Sequence, residues 1–227
     1  MDTELPGCAR CTFQTQDRLC QQENGKSPPF CATRNYRDVI NKALEELKKP
    51  DILEFARQAS IQEGEGYVNR ELGYDQVKAS KPRIMETIEF AHRMNYRRIG
   101  LVFCIGLVNE AKVVENLLSA EGFEVISALC KLGREPKETI GVRDDQKIRI
   151  GCFESMCNPI AQAFVLNSEN TEFNIVMGLC VGHDSLFLKY ADAPCTVLAA
   201  KDRVLGHNPL AAIYTINSYY RSLKKKT

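Results

Sequence analysis

Residues 97–130 read RRIGLVFCIGLVNEAKVVENLLSAEGFEVISALC, and this stretch decides the fold. Ile99 to Cys104 is a short, continuous apolar run, the pattern of a strand buried on both faces. Asn109 can cap a helix that carries Ala111, Val114, Leu117 and Leu118 on one face and that Gly122 ends. Phe123 to Cys130 then reads as a second strand. Strand, helix and strand in this order make a crossover unit, which implies a parallel pair.

Working outward, 131–150 is a long polar segment. Beyond it the pattern predicts helices over 158–168, 184–192 and 208–222, and strands over 173–180 and 195–200. Four parallel strands flanked by helices give an α/β, Rossmann-like three-layer sandwich over 97–227. There is no G-x-G-x-x-G after the first strand and no Walker A run, so nucleotide binding lacks its usual fingerprint. HExxH and G-x-S-x-G are absent too.

Upstream, 35–96 reads as a helical segment. Tyr36, Val39, Ile40, Ala43, Leu44 and Leu47 recur at helical spacing, Lys48-Lys49 suit the C-terminal end, and Pro50 stops the helix. Ile52, Phe55, Ala56 and Ala59 form a second stripe ended by Gly64 and Gly66, and Ser80 and Pro82 open a third through Ile84, Ile88 and Ala91. These stripes are expected to be packing faces without chemistry, and His92 an ordinary surface histidine.

Residues 1–34 are different. Gln14, Gln16, Gln21, Gln22, Asn24 and Gly25 favour loops, and Pro28-Pro29 prevents regular structure. Such a segment cannot bury enough apolar surface to fold alone. It nevertheless holds Cys8, Cys11, Cys20 and Cys31 in a C-x2-C-x8-C-x10-C pattern. A C-x-x-C turn points two sulfurs the same way, and two more thiolates complete a four-coordinate shell. Metal binding would supply the folding energy that the apolar residues cannot. The donor set suits zinc and equally an iron–sulfur cluster, because the spacing matches no standard finger or ferredoxin run.

A second constellation lies at the carboxyl ends of the strands, where ligands bind on open α/β sheets. Cys104, Cys130 and Cys180 close strands, and His183 follows Cys180 in GLCVGHD. Cys157 precedes Asn158-Pro159 as His207 precedes Asn208-Pro209, each pair reading as a helix start. With strand order 2-1-3-4, Cys104 and Cys180 flank the switch point, Cys157 and His207 reach it from helix starts, and Cys130 is the weakest member. Cys104, Cys157, Cys180, His183 and His207 could bind a metal or cofactor. The same set could be a Cys/His catalytic pair, with Cys157 or Cys180 as nucleophile and His183 or His207 as base. Cys195 opens a strand at the opposite edge and is expected in the core; Cys152 has no evident place.

The chain has 227 residues, 44% of them hydrophobic, with 30 basic and 29 acidic side chains. That near-neutral balance points away from nucleic acid as a partner, and the expected partners are a small molecule or a redox protein. Lys224-Lys225-Lys226 is read as a frayed tail. No secretory signal follows Met1-Asp2-Thr3-Glu4 and no run approaches membrane-spanning length, so the expected location is cytoplasmic. Ten cysteines in a reducing compartment are expected to be core residues, ligands or reactive thiols rather than disulfides.

The N-terminal C-x-x-C with Cys20 and Cys31, GLCVGHD, and the CNP and HNP helix starts together resemble a family of uncharacterised, cysteine-rich bacterial and archaeal proteins predicted to bind metal. The resemblance spans nearly the whole chain and implies metal binding and a cytoplasmic setting; it assigns no substrate. Two functions follow as expectations. One is a zinc or iron–sulfur protein with redox or metal-dependent chemistry at the strand ends. The other is a non-catalytic binding or scaffold module with a purely structural N-terminal zinc.

Overall fold

The two most continuous apolar runs become the two central strands of the sheet. The computed structural model describes residues 4–224, so Met1-Asp2-Thr3, Lys225 and Lys226, on which two of the sequence expectations fall, lie outside the described residues. The chain folds as two compact units, one reaching Gly64 and the other starting at Glu65. This single division differs from the boundaries expected after residues 34 and 96. The first two helical stripes belong with the cysteine segment, and the third belongs with the α/β unit.

In the first unit, short 3-10 turns at Cys8–Arg10 and Thr15–Asp17 precede α1 (Ala32–Asn35), α2 (Arg37–Glu46) and α3 (Pro50–Glu65). Pro50 takes the first helical position of α3, where a missing N–H leaves no bond unmade. The expected packing stripe of α2 is not covered: Val39, Ala43, Leu44 and Leu47 are all exposed. Gln62 is the one buried residue that either α2 or α3 contains. This unit therefore has almost no apolar core among its described residues.

The second unit opens with a short hairpin that the sequence reading missed, β1 (Tyr67–Val68) against β2 (Lys78–Ala79). Two residues per strand are too few to show alternation. There follow α4 (Arg83–Arg93), β3 (Arg98–Phe103), α5 (Val108–Ala120), β4 (Glu124–Leu129), α6 (Pro159–Ser168), β5 (Phe173–Met177), α7 (His183–Tyr190), β6 (Cys195–Ala199) and α8 (Leu210–Tyr214). The sheet order is β4-β3-β5-β6, and all three pairings are parallel. The second strand of the α/β segment thus lies outside the first, which is the 2-1-3-4 order expected.

Central β3 and β5 are buried along nearly their whole length, whereas edge strands β4 and β6 are only partly covered. On one face Val102, Ala128 and Val176 pack with Ala163 and Leu166 of α6 and Phe187 of α7. Leu101 and Ile175 turn to the other face, where the Phe90 ring of α4 lies 5.5 Å from that of Phe173. Ala111, Val114 and Leu118 of α5 are buried on this side as well. The result is the three-layer α/β sandwich.

Several boundaries differ from expectation for local reasons. Asn109 does not cap α5, because a 3-10 turn at Ile105–Leu107 comes first and Asn109 falls inside the helix. Strand β5 stops at Met177, since Gly178 takes a left-handed backbone at φ 64°. The last helix shrinks from 208–222 to Leu210–Tyr214. Thr215 Oγ1 bonds back to the Ala211 carbonyl at 2.7 Å and Ser218 Oγ to the Thr215 carbonyl at 3.2 Å, side-chain bonds that compete with helical bonding.

Candidate functional site

In the first unit the backbone N–H of Cys11 donates to the Cys8 carbonyl at 3.2 Å, closing the C-x-x-C turn. The Lys26 N–H donates to the Asp17 carbonyl at 2.7 Å and the Leu19 N–H to the Lys26 carbonyl at 2.9 Å, which folds the chain back on either side of Cys20. Cys31 precedes α1 and donates its N–H to the Pro28 carbonyl at 3.1 Å. These turns bring Cys8, Cys11, Cys20 and Cys31 to the wall of one cavity of about 70 Å³, which Arg18, Lys26 and Phe30 also line. Among the described residues no three Cys, His, Asp or Glu side chains are close enough, as placed, to hold one metal ion. The donor set nonetheless fits such a centre in kind. It comprises four free thiols facing one space, with two cations beside them to offset thiolate charge.

The second unit gathers a different set. Cys104 directly follows β3 and Cys130 directly follows β4, strands paired in register so that the two thiols leave the sheet side by side. Ile105 donates its backbone N–H to Cys130 Sγ at 3.3 Å. Residues 131–158 then make an excursion that returns to the same point, where the Asn158 N–H donates to the Cys130 carbonyl at 2.8 Å. That return packs Cys157 against the buried cluster that contains Cys104 and Cys130, and both of these neighbours act on the Cys130 thiol. Asn158 caps α6 as expected, its Oδ1 accepting from Ala161 N at 3.0 Å. Gln162 ties the two strand ends together, donating to the carbonyls of Ala128 at 2.7 Å and Phe103 at 3.4 Å. Its own Oε1 is buried with no partner.

The excursion is polar, as the sequence suggested, but it is ordered by charge. Lys147, with its side chain only 4% exposed, donates to Glu138 at 2.8 Å and to the Cys152 carbonyl at 2.7 Å, and pairs with Asp144 at 2.6 Å. Those partners push its pKa up to about 12. Lys137 pairs with Glu154 at 2.7 Å and holds that carboxyl near 2. Cys152 thus contributes a carbonyl to the loop while its side chain is exposed.

The three thiols polarise one another. Hydrogen bonding with Cys130, helped by the Gly106 backbone and by the nearby Lys201, pulls Cys104 down to about 4. Bonding to Cys130, with the charges of Lys131 and His183, pulls Cys157 down to about 5. Cys130 itself is driven well above the ordinary thiol range by bonding to Cys104, then to Cys157, and by burial. The electrostatics thus favour the proton on Cys130, with Lys201 and Lys131 favouring the thiolate forms of Cys104 and Cys157. Cys104 and Cys130 are buried, while Cys157 is partly exposed.

The structure brings only part of the expected constellation together. Cys130, expected to be the weakest member, is the hub, because the excursion lands on β4 rather than on the switch point. Cys180 instead accepts from the Arg203 guanidinium at 2.9 Å. His207 does not open a helix: it sits at φ 65° in a turn, and its Nδ1 accepts from the Asp202 N–H at 3.2 Å. His183 starts α7 and reaches Cys157 by charge rather than as a bonded base. Cys195 is partly buried with Asn174 and is pushed up by burial, which agrees with a core position. Lys131 and Lys201 went unnoticed, although each stands two residues past the end of a strand, where site residues on such sheets are found.

A family model described as Protein of unknown function (DUF1847) matches residues 31–198. The chain belongs to this family. Uncharacterized protein MJ0455 of Methanocaldococcus jannaschii is 44% identical over 208 residues, which cover 91% of this chain and 96% of that protein. The DUF1847 match begins at Cys31, so Cys8, Cys11 and Cys20 precede it, whereas Cys104, Cys130 and Cys157 lie inside it.

Proposed function

We propose that this is a metal-binding protein whose N-terminal unit holds zinc or an iron–sulfur centre on Cys8, Cys11, Cys20 and Cys31. The observation that carries the reading is the single cavity that all four thiols line. Four residues spread over more than twenty positions of hydrophilic chain line one small cavity, and thiolates sharing an ion or cluster would draw them together there. Arg18 and Lys26 on the same wall would balance the excess negative charge of a four-thiolate shell. Zinc would supply shape alone, whereas an iron–sulfur cluster would add electron transfer.

The scaffold reading, with a purely structural zinc, is favoured by one observation of its own. Of the residues in α2 and α3 only Gln62 is buried, so the unit needs a cross-link in place of a core. A reducing, cytoplasmic setting belongs to both readings, since all ten cysteines are free. No helix among the described residues is long and apolar enough to cross a membrane. Anaerobic purification followed by metal analysis and an absorption spectrum tests the proposal. Brown protein with iron and sulfide, or colourless protein with one zinc per chain, supports it; metal-free protein with these residues still ordered overturns it.

A further inference from the structure

The α/β unit keeps three thiols together that the metal-binding reading does not use. We propose that Cys157 and Cys130 form a thiol–disulfide exchange site, with Cys157 as attacking thiolate and Cys130 as resolving thiol, acting on low-molecular-weight disulfides.

The case rests on placement. Cys157 is the partly exposed member of the trio and stands just ahead of capped helix α6, whose N-terminal dipole favours a thiolate. Cys130, buried at 2% exposure, belongs to the packed cluster against which Cys157 lies. The Asn158–Cys130 backbone bond fixes that pairing, and Gln162 fixes the two strand ends beneath it. A nucleophile backed by a second thiol resolves a mixed disulfide within the molecule. A hydrolase would instead need an imidazole bonded to the nucleophile. Here His183 acts on Cys157 through its charge, and His207 is engaged with Asp202.

The exchange balances as follows. The Cys157 thiolate attacks one sulfur of RS–SR, the S–S bond breaks, and RS⁻ leaves and takes a proton from water. The hydroxide so formed takes the Cys130 proton, and Cys130 attacks the Cys157 sulfur of the mixed disulfide. The second RS⁻ leaves and is protonated by water. Two electrons pass from the dithiol to the disulfide, giving a Cys130–Cys157 disulfide and two RSH, and a dithiol reductant reverses the change.

At pH 6 a thiol titrating near 5 is almost fully ionised, whereas an ordinary thiol near 8.5 is about 0.3% ionised. The lower basicity of Cys157 takes back part of that gain, leaving a net advantage of roughly tenfold in attack rate. The test treats the reduced full-length protein with 2-hydroxyethyl disulfide at pH 6 under anaerobic conditions and maps disulfide-linked peptides over time. A Cys130–Cys157 link forming roughly tenfold faster than modification of an ordinary exposed thiol is the expected result. Cys130→Ser should trap the mixed disulfide on Cys157, and the wild-type map decides the matter if that variant does not fold. A Cys104–Cys130 link, a stable mixed disulfide on wild-type Cys157, or an unmodified Cys157 while exposed thiols react would overturn the proposal. The map reads these peptides separately from Cys8, Cys11, Cys20 and Cys31, so either proposal can fail alone.

Discussion

The two units use cysteine in opposite ways. In the first, four thiols at partly or fully exposed positions line a small cavity in a hydrophilic segment, with only Leu19, Pro28 and Phe30 as large apolar neighbours on the same wall. In the second, Cys104 and Cys130 are side chains of a packed cluster whose geometry is set by β3, β4 and α6. The difference is one of causation. On the proposed metal-binding reading sulfur chemistry organises the N-terminal segment, whereas the hydrophobic sheet organises the sulfurs of the α/β unit.

The sharpest way to break that contrast is to remove one N-terminal ligand. Cys11→Ala, or treatment with a strong chelator, should abolish metal binding and with it the amide protection of residues 8–31, because metal affinity is folding energy in such segments. The thermal transition of the α/β unit should not move. Hydrogen exchange read by mass spectrometry, alongside metal content, checks both halves. Retained metal and retained protection in the variant would show that the segment is held by something other than its thiols.

The converse perturbation acts on the sheet. A Cβ built on Gly100 of β3 would lie 2.1 Å from Asn174 Oδ1 and 2.5 Å from Leu166 Cδ1. Both neighbours are fully buried, and Asn174 is already bonded to Thr171 at 2.8 Å. Gly100→Ala should therefore cost about 1–3 kcal/mol, the usual range for overpacking a core. Denaturant unfolding of the α/β unit measures it, and N-terminal metal content should be unchanged.

What could be read from the sequence follows the same divide. Apolar runs such as IGLVFC and FNIVM announce buried strands because burial on both faces leaves no polar position, and the parallel order followed from the crossover. The four N-terminal cysteines stood out because their surroundings are so hydrophilic. The trio around Cys130 was half hidden. Its completion depends on where a loop of polar residues lands, and that landing is fixed by the buried Lys147 and by the Lys137–Glu154 pair, contacts that carry no periodic signature. His207 misled because HNP copies CNP in letters. The Asn158 side chain accepts from the first turn of a ten-residue helix, whereas the helix after Asn208 starts only at Leu210, lasts five residues and has no side-chain cap.

A smaller effect is expected at that cap. Asn158→Ala removes the bond to Ala161 N and should destabilise the α/β unit by about 1 kcal/mol. It should also slow alkylation of Cys157 at pH 6, since the cap holds the helix end against the thiol. Iodoacetamide labelling followed by peptide mapping measures this second effect, and an unchanged labelling rate would separate the helix terminus from the thiol chemistry.

The gentlest test is pH. Cys104 and Cys157 titrate in the fold near 4 and 5, below the value of about 8.5 for an unfolded thiol. Between those limits the unfolded chain binds protons that the fold does not, so stability declines as pH falls from about 8.5 towards 4. Cys130 is raised, so its contribution is intact below about 8.5 and is lost as pH climbs above it. The trio's contribution therefore peaks near the ordinary thiol value and falls on both sides. Lys131, Lys201 and His183 are partly exposed, so solvent screens the effect to a shallow slope. Denaturation midpoints of the α/β unit from pH 5 to 10 should trace this dome in the wild type and flatten in Cys130→Ser, which loses the central thiol that sets both flanking shifts. A dome of equal height in the variant would assign the pH dependence to carboxylates and lysines elsewhere, and would remove the electrostatic side of the contrast between the units.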